Sequence, residues 1–155
     1  MQVFVPYSSP FDCAEVLDSR RLNKQIIECR QILKAIKGES SAWANHPCVL
    51  MYKEHQTWLD YYMKCLECYK SYKDLMGTDS DEAEHDLVLA EEWSEKADKV
   101  KPHFITHAFC VQHCRRLYTK SPIMYPDFAC YGTSEENWYY VNDESLSYVN
   151  GKRLI

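Results

Sequence analysis

Glycine is scarce in this chain, with four residues in 155, and proline adds only six. So little of either, beside 46% hydrophobic residues, excludes a low-complexity or disordered chain. No apolar run approaches the roughly 18 residues a membrane span needs. The start "MQVFVPYSSP" has neither a basic leader nor an apolar stretch, so it does not read as a signal peptide. The eight cysteines are therefore expected as reduced thiols in a cytoplasmic protein. No glycine-rich phosphate loop, G-x-S-x-G or H-E-x-x-H occurs, which removes the chemistries those motifs carry.

Overall positive charge is also missing, since the net charge is -5. That value is unevenly spread. Residues 79 to 98 hold nine acids and one lysine, a local -8, so the other 135 residues carry +3. A basic face can coexist with the acidic one because exposed charges are screened beyond roughly 10 Å. The segment "HCRRLYTKSPIMYPDFACYG", residues 113 to 132, mixes two arginines and a lysine with three tyrosines and a phenylalanine. Such mixtures suit phosphates and bases.

The periodicity predicts an all-α, compact single domain over 1–155 with short extended segments at its termini. Ser9, Pro10 and Asp12 read as a helix start, and Gly38 as a stop. Leu22, Ile26, Cys29, Leu33 and Ile36 form one apolar face, opposite Arg20, Lys24, Gln31 and Lys34. Asp18-Ser19 interrupts this helix or restarts it. "SSAWANHPC" reads as a loop, since Pro47 disfavours helix at His46. One helix is expected over about 48 to 76, with Trp58, Tyr62, Leu66, Tyr69 and Met76 inward and Gly77 ending it. The acidic segment forms the next, burying Ala83, Leu87, Ala90, Trp93 and Ala97. Pro102 opens a last helix running to about Thr119. Asn150-Gly151 suggests a tight turn.

His103, His107, Cys110 and Cys114 fall on one face of that last helix, with His113 nearby and Cys65 and Cys68 on another. The span from i to i+11 is roughly 16 Å, too long for one metal site. These residues read as small core groups, and no metal is expected. A cysteine nucleophile has no local signature to support it.

The stretches "FVPYSSPFDCAEVLDSRRLNKQIIECRQIL", "WANHP" and "THAFCVQHCRRLYTKSPIMYPDFACYG" together resemble the pyrimidine-dimer DNA glycosylase family of the bacteriophage endonuclease V type. The likeness runs over about residues 1 to 132. Its most specific part is His107, Arg116-Leu117, Pro122, Tyr125 and Tyr131-Gly132. An acidic insertion at about 78–98 and a tail at 133–155 lie outside it. The resemblance implies a compact helical enzyme that cuts the glycosidic bond of a damaged base and then nicks the strand, without a cofactor. The nucleophile it implies is the chain's own α-amine, a class of group that titrates near about 8, well below lysine's roughly 10.4.

Position 2 is Gln2, a bulky residue that blocks removal of the initiator, so the terminal amine belongs to Met1. The family's catalytic Glu lies beside an arginine on the first helix, but "RRLNKQ" holds no acid there. Asp18 and Glu28 flank it, and Glu28 is favoured because it sits one turn from Lys24 and two from Arg21. The implied DNA contacts are Arg20, Arg21, Lys24, Arg30, His46, His107, Arg115, Arg116, Lys120, Tyr125 and Tyr131. The expected partner is damaged double-stranded DNA, bound by a monomer, with no membrane involved. Two other readings stay open: a DNA-binding relative that has lost catalysis, and a protein-binding factor that uses its acidic helix.

Overall fold

The computed structural model describes residues 1–76 and 81–133, and the backbone of 140–142 and 147–149. Among these the fold is all-α. Its helices are α1 (Pro10–Val16), α2 (Ser19–Ile36), α3 (Pro47–Tyr52), α4 (Gln56–Leu75), α5 (Asp81–Lys99) and α6 (His107–Lys120), followed by a 3-10 helix at Pro126–Tyr131. A small antiparallel pair, β1 (Tyr140–Asn142) and β2 (Ser147–Val149), follows with Val141 opposite Tyr148. The Gly77 stop and the Asn150-Gly151 turn lie outside the described residues.

Asp18 restarts the chain after α1. Its carboxylate accepts the Arg21 N–H at 3.1 Å, filling one of the four orphan donors at the start of α2. At the other end Gly38 takes φ +77°, and the N–H groups of Gly38 and Glu39 close on Ala35 and Lys34 carbonyls. Leu22, Ile26, Cys29 and Leu33 are buried as the spacing required, while Ile36 is only half-buried. Gln25 and Glu28 lie buried on the same face, which sequence periodicity had left to apolar residues.

Four expectations are corrected. Ser9 occupies the position before α1 but makes no side-chain cap. The cap comes from α5, where Ser94 Oγ accepts the Phe11 N–H at 3.0 Å. The helix expected over 48 to 76 is two helices, broken at Lys53–His55, with the His55 N–H turned back to the Tyr52 carbonyl. Met76 is 62% exposed instead of inward, because α4 ends at Leu75. The last helix starts at His107, five residues after Pro102, where the Thr106 hydroxyl accepts the Phe109 N–H.

The core is aromatic. Tyr52 stacks on Trp58, and Trp58 on Tyr62 with ring centroids 4.9 Å apart. The acidic helix α5 is part of this core. Ala90, Ser94 and Ala97 are buried against α4 and α1, and Ala83, Leu87 and Trp93 are only partly covered. Its charged residues face outward, as a half-buried helix requires.

The extended start runs into the middle of this bundle. Val3, Phe4 and Val5 are at most 4% exposed, yet they belong to no sheet. Their backbone groups need partners, and side chains supply them. Phe4 N–H donates to Gln25 Oε1 at 2.7 Å and Val5 N–H to His113 Nδ1 at 2.9 Å. The Tyr62 hydroxyl donates to the Phe4 carbonyl, and Cys114 Sγ to that of Pro6. The four buried polar residues among those described are Gln25, Glu28, Ser94 and His113. Every one of them holds a backbone N–H between residues 2 and 11.

Candidate catalytic end and nucleic-acid cleft

The start of α2 and the end of α6 form the walls of a cleft of about 260 Å³, lined by Gln2, Phe4, Arg20, Arg21, Lys24, Gln25, Glu28 and Lys120. Its polar rim carries four cations. At its floor lies one carboxylate. Glu28 Oε2 accepts the Gln2 N–H at 3.1 Å and a longer bond from Gln25 Nε2 at 3.4 Å. Gln25 thereby spans the site, since its Oε1 holds Phe4.

Burial raises the Glu28 pKa above the ordinary carboxylate value. The Gln2 N–H, the positive N-terminus, Lys24 and Lys120 all act against that rise. The opposite effect falls on Lys120. Burial and the neighbouring Arg116, Lys24 and Arg21 lower its pKa. Burial first, and the neighbouring cations second, thus disfavour a further positive charge at Lys120, a setting that an anion would relieve.

His46 also feels the charge of the chain's first residue. It precedes α3, and its Nδ1 accepts the Cys48 N–H at 3.1 Å. Burial, then the charge of the N-terminus, lowers its pKa. The amine thus lies within electrostatic reach of both Glu28 and His46. Within the loop "WANHP", Pro47 keeps His46 extended at the head of α3.

The other residues named from sequence lie elsewhere. Asp18 is ten residues from Glu28 along α2, roughly 15 Å of helix rise. Burial pushes its carboxyl up, but hydrogen bonds from Tyr125 and Arg21 outweigh this and hold it below the usual value. Tyr125 is 3% exposed, with Arg21 over its ring at 5.5 Å, and presents no open face to a base. Arg115 Nε donates to the Tyr131 carbonyl at 2.6 Å, so it fastens the 3-10 helix to α6. Arg30 pairs with Glu67 of α4 at 3.1 Å. His107 and Tyr131 meet in a separate hollow with Tyr7, Lys101 and Cys110. Arg116 is half-buried on α6, near enough to affect Lys120.

Gln25 and His113 were missed as elements of the site. A polar residue one turn after Leu22 on an apolar helical face was the only signal for Gln25. His113 is fully enclosed, and burial lowers its pKa to about 3, so it serves as a neutral acceptor.

Among the described residues, no three His, Cys, Asp or Glu side chains gather so as to hold a metal. All eight cysteines are free. Burial raises the thiols of Cys48, Cys65 and Cys114 to about 12 and that of Cys110 to about 11, which disfavours the nucleophilic thiolate. No helix among the described residues is long and apolar enough to cross a membrane.

No curated protein and no solved structure matches the chain. The likeness around His107 and Tyr131-Gly132 lies beyond the residues that a family model matches, which end within α4. That match, to the model described as pyrimidine dimer DNA glycosylase, covers residues 1–68, the stretch that includes Gln2, Gln25, Glu28 and His46.

Proposed function

We propose that this protein is a DNA glycosylase with AP-lyase activity, and that its N-terminal amine is the nucleophile. One observation carries the reading: a buried carboxylate, Glu28, binds the second residue of the chain at the floor of a cleft rimmed by Arg20, Arg21, Lys24 and Lys120. Phosphates flanking a damaged nucleotide would meet the cations, and the sugar would meet the amine.

The chemistry follows from those groups. The neutral amine attacks C1′, and the bond to the base breaks with its electron pair leaving on the base, which takes up the proton that the newly alkylated amine gives up. Glu28 has a raised pKa and can hold a proton at this stage. It gives that proton to the ring oxygen as the sugar opens to the iminium. As a carboxylate it then removes a proton from C2′, and the 3′ phosphate departs. Both steps are ordinary general acid–base work. Asp18 has no part in this scheme, because its oxygens already serve Arg21 and Tyr125. Arg20, Lys24 and Lys120 are assigned to the phosphates, with Arg21 shared between the cleft and Asp18.

Borohydride tests the proposal. With an abasic duplex, reduction of the iminium should give a covalent protein–DNA adduct that maps to the first residue. A peptide tag ahead of that residue should abolish the adduct and leave DNA binding largely intact. Binding without any adduct from an untagged chain would identify a relative that has lost the chemistry. An adduct on Lys24 or Lys120 would replace the amine with a lysine.

A further inference from the structure

The loop between α6 and the 3-10 helix exposes two apolar side chains in a row, Ile123 at 92% and Met124 at 54%. Lone exposed apolar residues are common and need no account. This pair differs in its setting. It follows Lys120, which lines the cleft, and three residues of chain reach at most roughly 11 Å. Its loop is also pinned at both ends. The Ser121 N–H closes on the Leu117 carbonyl and the Tyr125 N–H on the Ser121 carbonyl. Tyr125 itself is buried and bonded to Asp18 at the head of α2. Pro122 adds a fixed φ at the tip. An apolar point is thus held by a pinned loop within that reach of Lys120, one of the four cations of the cleft.

We propose that Ile123, backed by Met124, is a wedge that enters the base stack next to the lesion while the cleft holds the phosphates. The proposal rests on the DNA reading above and names how the duplex is opened. A base step offers flat apolar faces a few ångströms inside a rim of anions, the same arrangement in negative. Side chains of this kind, Ile, Met and Pro among them, unstack a step and kink the duplex when pressed into it. An extruded nucleotide could then reach the amine. An anionic lipid surface would also accept apolar and cationic groups together, but it has no use for a sugar-sized cleft ending in a carboxylate.

The test uses a duplex carrying a tetrahydrofuran abasic analogue, with 2-aminopurine opposite it to report unstacking. Saturating wild-type protein should raise the fluorescence several-fold. Ile123→Ser with Met124→Ser should remove most of that rise, and Ile123→Leu should restore it. Both side chains are largely exposed, so the fold should tolerate the changes. The salt dependence of binding should not alter, because no phosphate contact is lost. A serine variant that keeps the full rise overturns the wedge. So does binding of the wild type, but not of the serine variant, to vesicles of phosphatidylcholine and phosphatidylserine. Borohydride trapping on a single-stranded abasic oligonucleotide reports the amine separately. A wild type that unstacks DNA through Ile123 but gives no adduct supports the wedge and sinks the amine mechanism. Adducts from both proteins with no difference in fluorescence do the reverse.

Discussion

The hydroxyl of Tyr125 is bonded twice to Asp18, donating to Oδ2 and accepting the backbone N–H at 3.1 Å. This joint ties the segment after α6 to the head of α2 across 107 residues of sequence. Burial and the Asp18 carboxylate keep the phenol protonated, with its pKa pushed up to about 12. Tyr125→Phe leaves both Asp18 groups without that partner, so a loss of about 1–3 kcal/mol is expected from chemical unfolding. Asp18→Ala should cost a similar amount, and a double-mutant cycle should show strong coupling between the two. Additive losses would mean the joint carries no energy of its own.

Glu28→Gln should fold and bind DNA but cleave an abasic strand about 100- to 10,000-fold more slowly. Its effect on stability has a definite sign. The carboxyl holds its proton more tightly in the folded state. Wild-type stability therefore falls as pH rises from the ordinary Glu value through the raised one, and Gln removes that fall. Urea midpoints across pH 4 to 7, measured for both proteins, check it. Identical pH profiles would show that Glu28 is not perturbed.

His113 acts in the opposite direction. Its pKa is about 3 when folded, because burial disfavours the charged ring. The unfolded chain takes up the proton first, near about 6.5, so stability present above that pH is lost as the pH falls. The loss should reach roughly 2 kcal/mol by pH 5, following linkage for one group. His113→Phe should flatten this part of the profile while lowering stability at neutral pH, since the Val5 N–H loses its acceptor. A titration of His113 near its ordinary value, read by NMR, would contradict the burial argument.

The cations divide into two groups by geometry, and salt titrations should separate them. Arg20→Ala and Lys24→Ala should each flatten the log-log salt dependence of DNA binding by about 0.9. Arg115→Ala should leave that slope alone and lower stability, because its Nε is committed to the Tyr131 carbonyl. Arg30→Ala should change neither by much, as it loses only an exposed pair with Glu67. A reduced slope in Arg115→Ala would move the DNA path toward the 3-10 helix.

Local patterns were legible in the sequence wherever one helix determines them. The apolar face from Leu22 to Leu33, the restart at Asp18 and the stop at Gly38 all follow from spacing and backbone preference. Glu28 was reachable too, since its neighbours Lys24 and Arg21 share its side of one helix. Partners distant in sequence were not legible. Gln25 and His113 act on Phe4 and Val5 across 21 and 108 residues, and no periodicity reports such pairs. Tyr125 has the composition of a base-stacking residue, but tertiary packing buries it. The break at Lys53–His55 contains neither proline nor glycine, so nothing local announced it.

The grip on the first five residues also has a consequence for synthesis. The side chains that seat this end come from α2, α4 and α6, and His113 is among the last of them to be made. Residues 2–5 are therefore made before every side chain that seats them. Until α6 is in place the Val5 N–H lacks its His113 acceptor, and only α2 and α4 hold this end. On the proposed amine mechanism, unfinished or truncated products would lack the full seat for this end, and competence would arrive with completion of the bundle.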